Sequence, residues 1–340
     1  MRHAALRFAP LVEGWAGPVD WQSLRSQPFA YVSLPDSQLS PEQLRAHYER
    51  VDEAYRQTYR GCGLHYLGST PQTLLPASAP ESVSLPADGW AAQGTLVART
   101  VEVAVNRPAF RERLRAALAA QGRIRVRLGH RVEEIERAAE GFRVSAVTAD
   151  GQPWRGQFAT VVNCSWTDRL RLDRQLGSAP DRGWVYGLKY RLLGRLPGAS
   201  GRPSLTFALG TFGDLVTYPG DHVYVSWYPV CLRGWSQDRA PPACWDRPCS
   251  GRTLPADSAA VTAGVQREFG RIVPALRHLC VEDVAPGVIC SWGTRDIDDP
   301  ASELHRRSTT RSPRASSPAH PLFADRLAAR LRAEGGLRGA

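Results

Sequence analysis

Residues 184–194 read WVYGLKYRLLG, and two further stretches follow close behind, SLTFALGTFGDLVTYPG at 204–220 and DHVYVSWYP at 221–229. All three are rich in β-branched and aromatic residues, and Gly and Pro turns separate them at intervals suited to an antiparallel sheet. Residues 183–229 are therefore predicted to be the β-rich centre of the chain.

Upstream the character alternates. TLVARTVEVAV (95–105) is a β-branched run, and NRPAFRERLRAALAAQG (106–122) is a helix capped by Asn106 with Phe110, Leu114 and Leu118 on one face. RIRVRLG (123–129) and HRVEEIER (130–137) read as short strands. GFRVSAVTADGQPWRGQFATVVNCSW (141–166) then forms a hairpin, with its turn at Asp150-Gly151 and a return strand ending in the apolar stretch Ala159 to Val162. Residues 95–177 are thus an α/β element with a β insertion.

Nearer the start, LSPEQLRAHYERVDEAYRQTYRGCG (39–63) opens with Ser40 as N-cap, Pro41 at the first helical position and Gln43 closing a capping box. Leu44, Tyr48, Val51 and Tyr55 make one apolar stripe before Gly61. HAALRFAPLVEGW (3–15) also has helical spacing. After the central strands comes a loop over 230–257. Ser258 opens a helix bearing Val261, Val265, Phe269 and Ile272, which Pro274 ends. RRSTTRSPRASSPAH (306–320) is a loop without periodicity, and PLFADRLAARLRAEGG (321–336) resumes as a helix.

A chain of 340 residues suffices for two domains, and 43% hydrophobic residues suffice for a core. The formal charge is +10, yet Lys189 is the one lysine and the arginines are scattered among acids, so a nucleic-acid partner is not expected. No run of about 18 apolar residues and no secretory signal is present, so the expectations are no membrane partner and a cytoplasmic protein. Seven cysteines then read as reduced thiols. Cys244 and Cys249 are spaced too widely for a zinc knuckle, and no metal is expected.

The nucleotide and nucleophile signatures fail one by one. Lys189 follows Leu188, so no Walker loop exists, and in GCGLHY (61–66) Tyr66 stands where a dinucleotide fingerprint needs its third glycine. There is no Gly-x-Ser-x-Gly elbow, and Ser165 has no identified base. The acids Asp296, Asp298, Asp299 and Glu303 do not make an EF-hand, because Pro300 and Ala301 occupy the third ligand and glycine positions. Asp299 as N-cap, Pro300 at the first helical position and Glu303 in the first turn make a helix start. His305 reads as structural.

In order and spacing, ARTVEVAVNRPAFRERLRAAL, IRVRLGHRVEEIE, GFRVSAVTADG, ATVVNCSWTDRLRLD, WVYGLKYRLLG, FGDLVTYPGDHVYVSWYP and SWGTRDIDDPASELHRR resemble the FAD-dependent oxidoreductases of the D-amino-acid oxidase and glycine oxidase type. The likeness covers residues 1–307 and 321–332. It implies an α/β chain with α+β elements, in which a partial FAD-binding domain of the glutathione-reductase type is interleaved with an antiparallel substrate-domain sheet. The corresponding division is 1–94 as a helical substrate-domain segment, 95–177 as partial FAD domain, 178–285 as antiparallel substrate domain, and 286–340 as the return to the FAD domain. Residues 291–307 then belong to that return, as scaffold.

The resemblance further implies FAD as cofactor, with Val132 beside its adenine half and Asn163, Cys164, Ser165 and Trp166 on a strand and turn near the nucleotide. It implies Lys189, Arg191 and Tyr228 as contacts to a small-molecule substrate, an amine or a hydroxyl compound. Alternation places Lys189 and Arg191 on one face, which suits either a cationic floor for a carboxylate or a solvated sheet face. The family's opening strand, Gly-rich turn and helix would precede residue 1, so the resemblance implies a truncated homologue. Three readings stay open: an oxidoreductase, a non-catalytic remnant or binding module that does not hold FAD alone, and a protein completed by a separate chain that supplies the strand–helix unit.

Overall fold

The computed structural model describes all residues except 1, 60–64, 76–82, 85–89, 91–92, 178–183, 209, 211 and 293–340. The acidic stretch 296–303, His305, the 306–320 loop and the helix at 321–336 lie outside the described residues, as does Gly61.

Twelve strands are described: β1 (Phe29–Ser33), β2 (Val83–Ser84), β3 (Thr95–Arg99), β4 (His130–Arg137), β5 (Phe142–Thr148), β6 (Pro153–Phe158), β7 (Trp184–Arg195), β8 (Ser204–Phe207), β9 (Gly213–Thr217), β10 (His222–Trp227), β11 (Leu232–Ser236) and β12 (Cys280–Trp292). The α-helices are α1 (Arg2–Ala16), α2 (Trp21–Leu24), α3 (Pro41–Tyr59), α4 (Arg107–Ala120), α5 (Arg169–Gln175), α6 (Tyr228–Cys231), α7 (Asp246–Cys249) and α8 (Pro255–Ile272). The class is mixed α/β with a mainly antiparallel sheet, as the resemblance implied.

Nine strands form one sheet, in the order β11-β7-β10-β9-β8-β1-β3-β2, with β12 also on β7. Every pairing in it is antiparallel except β1 with β8. β7 is the spine: β12 lies along its full length, while β11 pairs its first half and β10 its second. The short α6 turn sits between those two partners, so the run read as one strand to Pro229 stops at Trp227. Proline at the second position of α6 has no N–H to give to a ladder.

One face of this sheet is the main core. Leu192, Leu205, Leu215 and Val225 pack with Val261, Val265 and Phe269 of α8, all fully buried. The Phe269 ring stacks on Trp227 at 4.5 Å and meets Phe207 edge-on at 5.3 Å. Helix α8 begins at Pro255 rather than Ser258, whose N–H bonds Leu254 O within the first turn.

Local signals fared well at helix starts. Gln43 N–H donates to Ser40 Oγ at 3.3 Å and Ser40 N–H to Gln43 Oε1 at 2.9 Å, the reciprocal box expected for α3. Asn106 Oδ1 accepts from Ala109 N–H at the start of α4. The α3 stripe is rotated, however: Val51 is exposed, and Asp52 beside it is buried, accepting from Thr73 Oγ1 and Leu74 N–H. A carboxylate with two donors can be buried where an aliphatic side chain was expected.

The hairpin prediction holds for β5 and β6, with Gly151 at φ +81° in the turn. β4 adds a third strand, and α5 covers the sheet through Leu172 on Ile135 and Val144. Two predicted strands do not form. Residues 123–129 are unpaired among the described residues, leaving Ile124, Val126 and Leu128 exposed. Residues 159–165 are likewise unpaired after β6 ends at Phe158. Both have strand-like composition, but a strand needs a neighbouring backbone to accept its hydrogen bonds. Similarly, the 95–105 run is strand only to Arg99, and the 230–257 loop contains β11 and α7.

Candidate functional site

The second face of the large sheet is polar where the first is apolar. Tyr31 pairs Thr206, Thr206 pairs Asp214, and Asp214 pairs Ser226, so the four side chains form a row across β1, β8, β9 and β10. Tyr224 pairs Leu193, which places Lys189 and Arg191 on this same face by alternation along β7. Tyr31, Thr206, Asp214, Lys189, Arg191 and Tyr224 are all half-buried.

Specific contacts order the row. Thr206 Oγ1 donates to Asp214 Oδ1 at 2.8 Å, and Tyr31 Oη donates to Glu102 Oε2 at 2.5 Å. The Tyr48 ring, from α3, lies 4.5 Å from that of Tyr31. Lys189 Nζ sits 4.5 Å over the Tyr228 ring, and Arg107 sits 5.0 Å over Tyr224, both within cation–π range. Cys231 beneath is fully buried, its Sγ accepting from Trp227 N–H at 3.3 Å.

Burial dominates the electrostatics here. It pushes the Asp214 carboxyl up from the usual carboxylate range, against the Thr206 hydrogen bond and the charge of Lys189, which both pull it down. Burial also holds the Tyr31 phenol well above its ordinary value, with Glu102 adding to the effect, and raises Tyr48 and Tyr224. These phenols stay protonated donors at neutral pH. The Cys231 thiol is likewise pushed up by burial, which argues against a nucleophilic role.

A second feature is an open cleft of about 680 Å³ at the three-stranded sheet, lined among others by His130, Arg131, Val132, Ser165, Asp168 and Leu172. Its rim is braced by α5. Arg171 Nη2 and Nη1 donate to Val132 O and Glu133 O, each at 2.7 Å, and Arg171 Nε to Asp168 Oδ1 at 3.0 Å. Gln175 completes the brace, accepting from Ile135 N–H and donating to Glu133 O. Asn163 is consumed locally: Nδ2 donates to Arg169 O and Asp173 Oδ1, and Oδ1 accepts from the N–H and hydroxyl of Ser165.

With both features in place the fold is recognisable among solved structures. A glycine oxidase from Geobacillus kaustophilus superposes with a TM-score of 0.52 at 14% identity, over 86% of this chain and 65% of that one. The chain has the glycine oxidase fold. It spans less than two thirds of that enzyme's length. Iminodiacetate oxidase from Chelativorans sp. BNC1 is also similar, with TM-score 0.49, 13% identity, and 86% and 68% of the two chains covered. So is glycine oxidase from Bacillus cereus, with 0.48, 12%, 86% and 67%. No family model and no curated protein matches the sequence.

Within the glycine oxidase fold the predicted residues fall into two groups. Val132 and Ser165 meet in the cleft. Asn163 instead shapes the turn into α5, Cys164 is exposed, and Trp166 turns toward the large sheet, where Nε1 donates to Val288 O at 2.7 Å. Lys189 and Tyr228 meet on the polar face. Tyr228 does so from the first residue of α6, not from a strand. Arg191 is on that face but bound to Asp283 Oδ2 at 2.8 Å, so its charge is compensated there.

Sequence reasoning missed Tyr31, Glu102, Thr206 and Asp214. The available signal was Asp214 itself, a lone acid inside an otherwise apolar strand pattern.

The cleft suits the adenosine end of an FAD molecule in size and in its mixed lining. Its walls do not suit a diphosphate. Gly151 N–H already serves Thr148 O, Thr148 N–H serves Gln152 O, and the short helix beyond Ser165 carries the Asp168 carboxylate in its first turn. Anion binding of that kind needs several free N–H groups at a helix start.

Proposed function

We propose that the chain is an FAD-dependent oxidoreductase homologue whose small amine or hydroxyl substrate lies on the polar face of the large sheet. Because the chain spans 65% of the Geobacillus enzyme, the activity is inferred for this chain from its fold and its site together. The observation carrying the reading is the asymmetry of one sheet: an α8-packed apolar face backs a face bearing Lys189, Asp214, Thr206 and Tyr31.

Bound FAD would supply a hydride acceptor for the C–H bond next to the amine or hydroxyl. The chain's own residues bind and orient. Lys189, held over Tyr228, attracts an anionic substrate group, and Arg191 with Asp283 closes that side of the face. Tyr31 and Tyr48 wall the opposite side. Val132, Asn163, Cys164, Ser165 and Trp166 form or brace the cofactor side. The division 1–94, 95–177, 178–285 and 286–340 into substrate and cofactor segments goes with this reading.

A small-molecule partner fits the charge pattern, since arginines pair with acids, as in Arg143 with Glu136 and Arg195 with Glu282. Among the described residues no helix is long and apolar enough to cross a membrane. We place the protein in the cytoplasm.

The purified chain, with and without added FAD, would be scanned for flavin absorbance and thermal stabilisation. A ligand that binds only the folded state raises Tm. Copurifying bands or a saturable shift support the reading. Neither would favour a second one, a binding module that does not hold FAD alone, which the Ile124–Leu128 stretch, unpaired among the described residues, and the cleft's described walls, without free diphosphate donors, support.

A further inference from the structure

Between α4 and β4 the run RIRVRLG (123–129) lies exposed throughout. Ile124, Val126 and Leu128 are 46%, 57% and 85% exposed, a cluster of aliphatic surface within one short segment. They alternate with Arg123, Arg125 and Arg127, which have no acidic partner among the described residues, whereas Arg131 just beyond pairs with Glu133. Both ends of the run are fixed. Ile124 N–H donates to Gln121 O at 3.0 Å, Leu128 O lies 2.9 Å from His130 Nδ1, and the Arg127 guanidinium sits 5.4 Å over the Trp154 ring. Between those anchors the N–H and C=O groups of Arg125, Val126 and Arg127 have no hydrogen-bond partner among the described residues. A segment already held at both ends loses less freedom when something binds it.

We propose that residues 124–128 are a docking edge for an extended segment of another protein, one that alternates aliphatic with acidic residues and adds to this run as a strand. The proposal goes beyond the oxidoreductase reading and does not depend on it. In strand addition the main chain supplies hydrogen bonds and alternate side chains supply selectivity. Successive side chains of an extended chain point to opposite sides, so the three arginines share one side and the three aliphatics the other. A partner strand meets like sides, which sets acids against the arginines and aliphatics against Ile124, Val126 and Leu128. A second copy pairing through the same run would oppose arginine to arginine, which is destabilising. An anionic lipid surface would answer the arginines, but seating Val126 in it takes the neighbouring peptide groups out of water with no partner for them. A strand satisfies charge, aliphatic surface and backbone together.

The probe is a capped peptide that alternates glutamate with valine over the length of 123–129, titrated into the isotope-labelled full-length chain and read by amide shifts and amide exchange. Two controls are a lysine and valine peptide of the same pattern and a glutamate and valine peptide with its acids in one block. The alternating acidic peptide is expected to saturate, to protect the amides of 125–127, and to bind about tenfold more tightly than either control, the sum of a few cross-strand charge pairs. Arg125→Glu, at an exposed site with no ion pair to lose among the described residues, is expected to weaken the acidic peptide about fivefold and to strengthen the lysine one. The wild-type comparison decides even if that variant folds poorly. No saturable binding, equal binding by either control, or protection away from 124–128 overturns the proposal. So does binding to phosphatidylglycerol vesicles without binding to the peptide, which would assign the run to a lipid surface. A dimer in sedimentation velocity that Val126→Asp abolishes would assign it to a second copy and overturn it too. None of these outcomes bears on FAD uptake, so the oxidoreductase reading stands or falls separately.

Discussion

Trp166 Nε1 donates to Val288 O at 2.7 Å, a bond that joins the turn before α5 to β12 of the large sheet, 122 residues on. Trp166 itself holds φ +54°, a left-handed conformation that a bulky side chain seldom adopts. Trp166→Phe keeps an aromatic ring but loses the donor and part of the ring. It is expected to cost about 0.5–1.5 kcal/mol, because the lost bond is a neutral one in a partly exposed setting. Urea denaturation followed by circular dichroism measures it, and an unchanged midpoint would mean the bond carries no net stability.

Arg171 braces the cleft by serving two backbone carbonyls and one carboxylate. Arg171→Leu leaves Val132 O without that donor while Glu133 O keeps Gln175 Nε2, and losing these part-buried hydrogen bonds is expected to cost about 0.5–1.5 kcal/mol each. Amide exchange should accelerate selectively in β4 and α5, while β7 and β10 keep their protection. Uniform acceleration across both sheets would instead point to global destabilisation.

The raised Asp214 carboxyl has a pH signature. Its folded-state pKa lies above the ordinary 3.8, so its protonated form is favoured in the folded chain. The stability it contributes is present below that value and is lost as pH rises through the folded pKa. Asp214→Asn removes this dependence. The variant's stability relative to wild type is therefore expected to improve between pH 4 and pH 7.5, read as the difference in urea midpoints. A difference that stays flat or moves the other way contradicts the burial argument.

At Gly213 the constraint is space. A Cβ there would come 1.8 Å from Ser226 O on β10. Gly213→Ala must push β9 away from β10, next to Asp214, and is expected to cost about 1–3 kcal/mol or more. Thermal unfolding reads the loss, and it should exceed that of Gly220→Ala, where the nearest atom is 3.6 Å away on His222 and the penalty is one of φ alone.

Phe269 is fully buried between Trp227 and Phe207. Phe269→Ala removes an aromatic from the centre of the main core, a change that typically costs about 3–5 kcal/mol. Calorimetry would show the Tm fall, accompanied by a change in Trp227 fluorescence as its stacking partner disappears.

Much of the site was legible only in part. Lys189 and Arg191 share a face because strand alternation is a local rule, and this followed from WVYGLKYRLLG alone. That Asp283 neutralises Arg191 did not, because it depends on β12 lying along β7 ninety-two residues later. Tyr228 was expected on a strand, whereas Pro229 beside it stops the ladder and turns the chain into α6. Val51 was expected inward, and Asp52 replaced it because Thr73 and Leu74, brought in by the loop after α3, supplied the donors.

From the amino-acid sequence by itself came the capped helices α3 and α4, the Asp150-Gly151 hairpin, the antiparallel centre and the failure of every standard phosphate-binding motif. These depend on contacts within a few residues, where side-chain type and spacing decide the backbone. Tertiary structure alone decided that β1 runs parallel to β8, that Thr206 meets Asp214 on a polar face, and that residues 123–129 and 159–165 find no strand partner among the described residues. A strand, unlike a helix, finds its hydrogen-bond partners elsewhere in the chain, so its composition can announce it while only the assembled neighbours determine whether it forms.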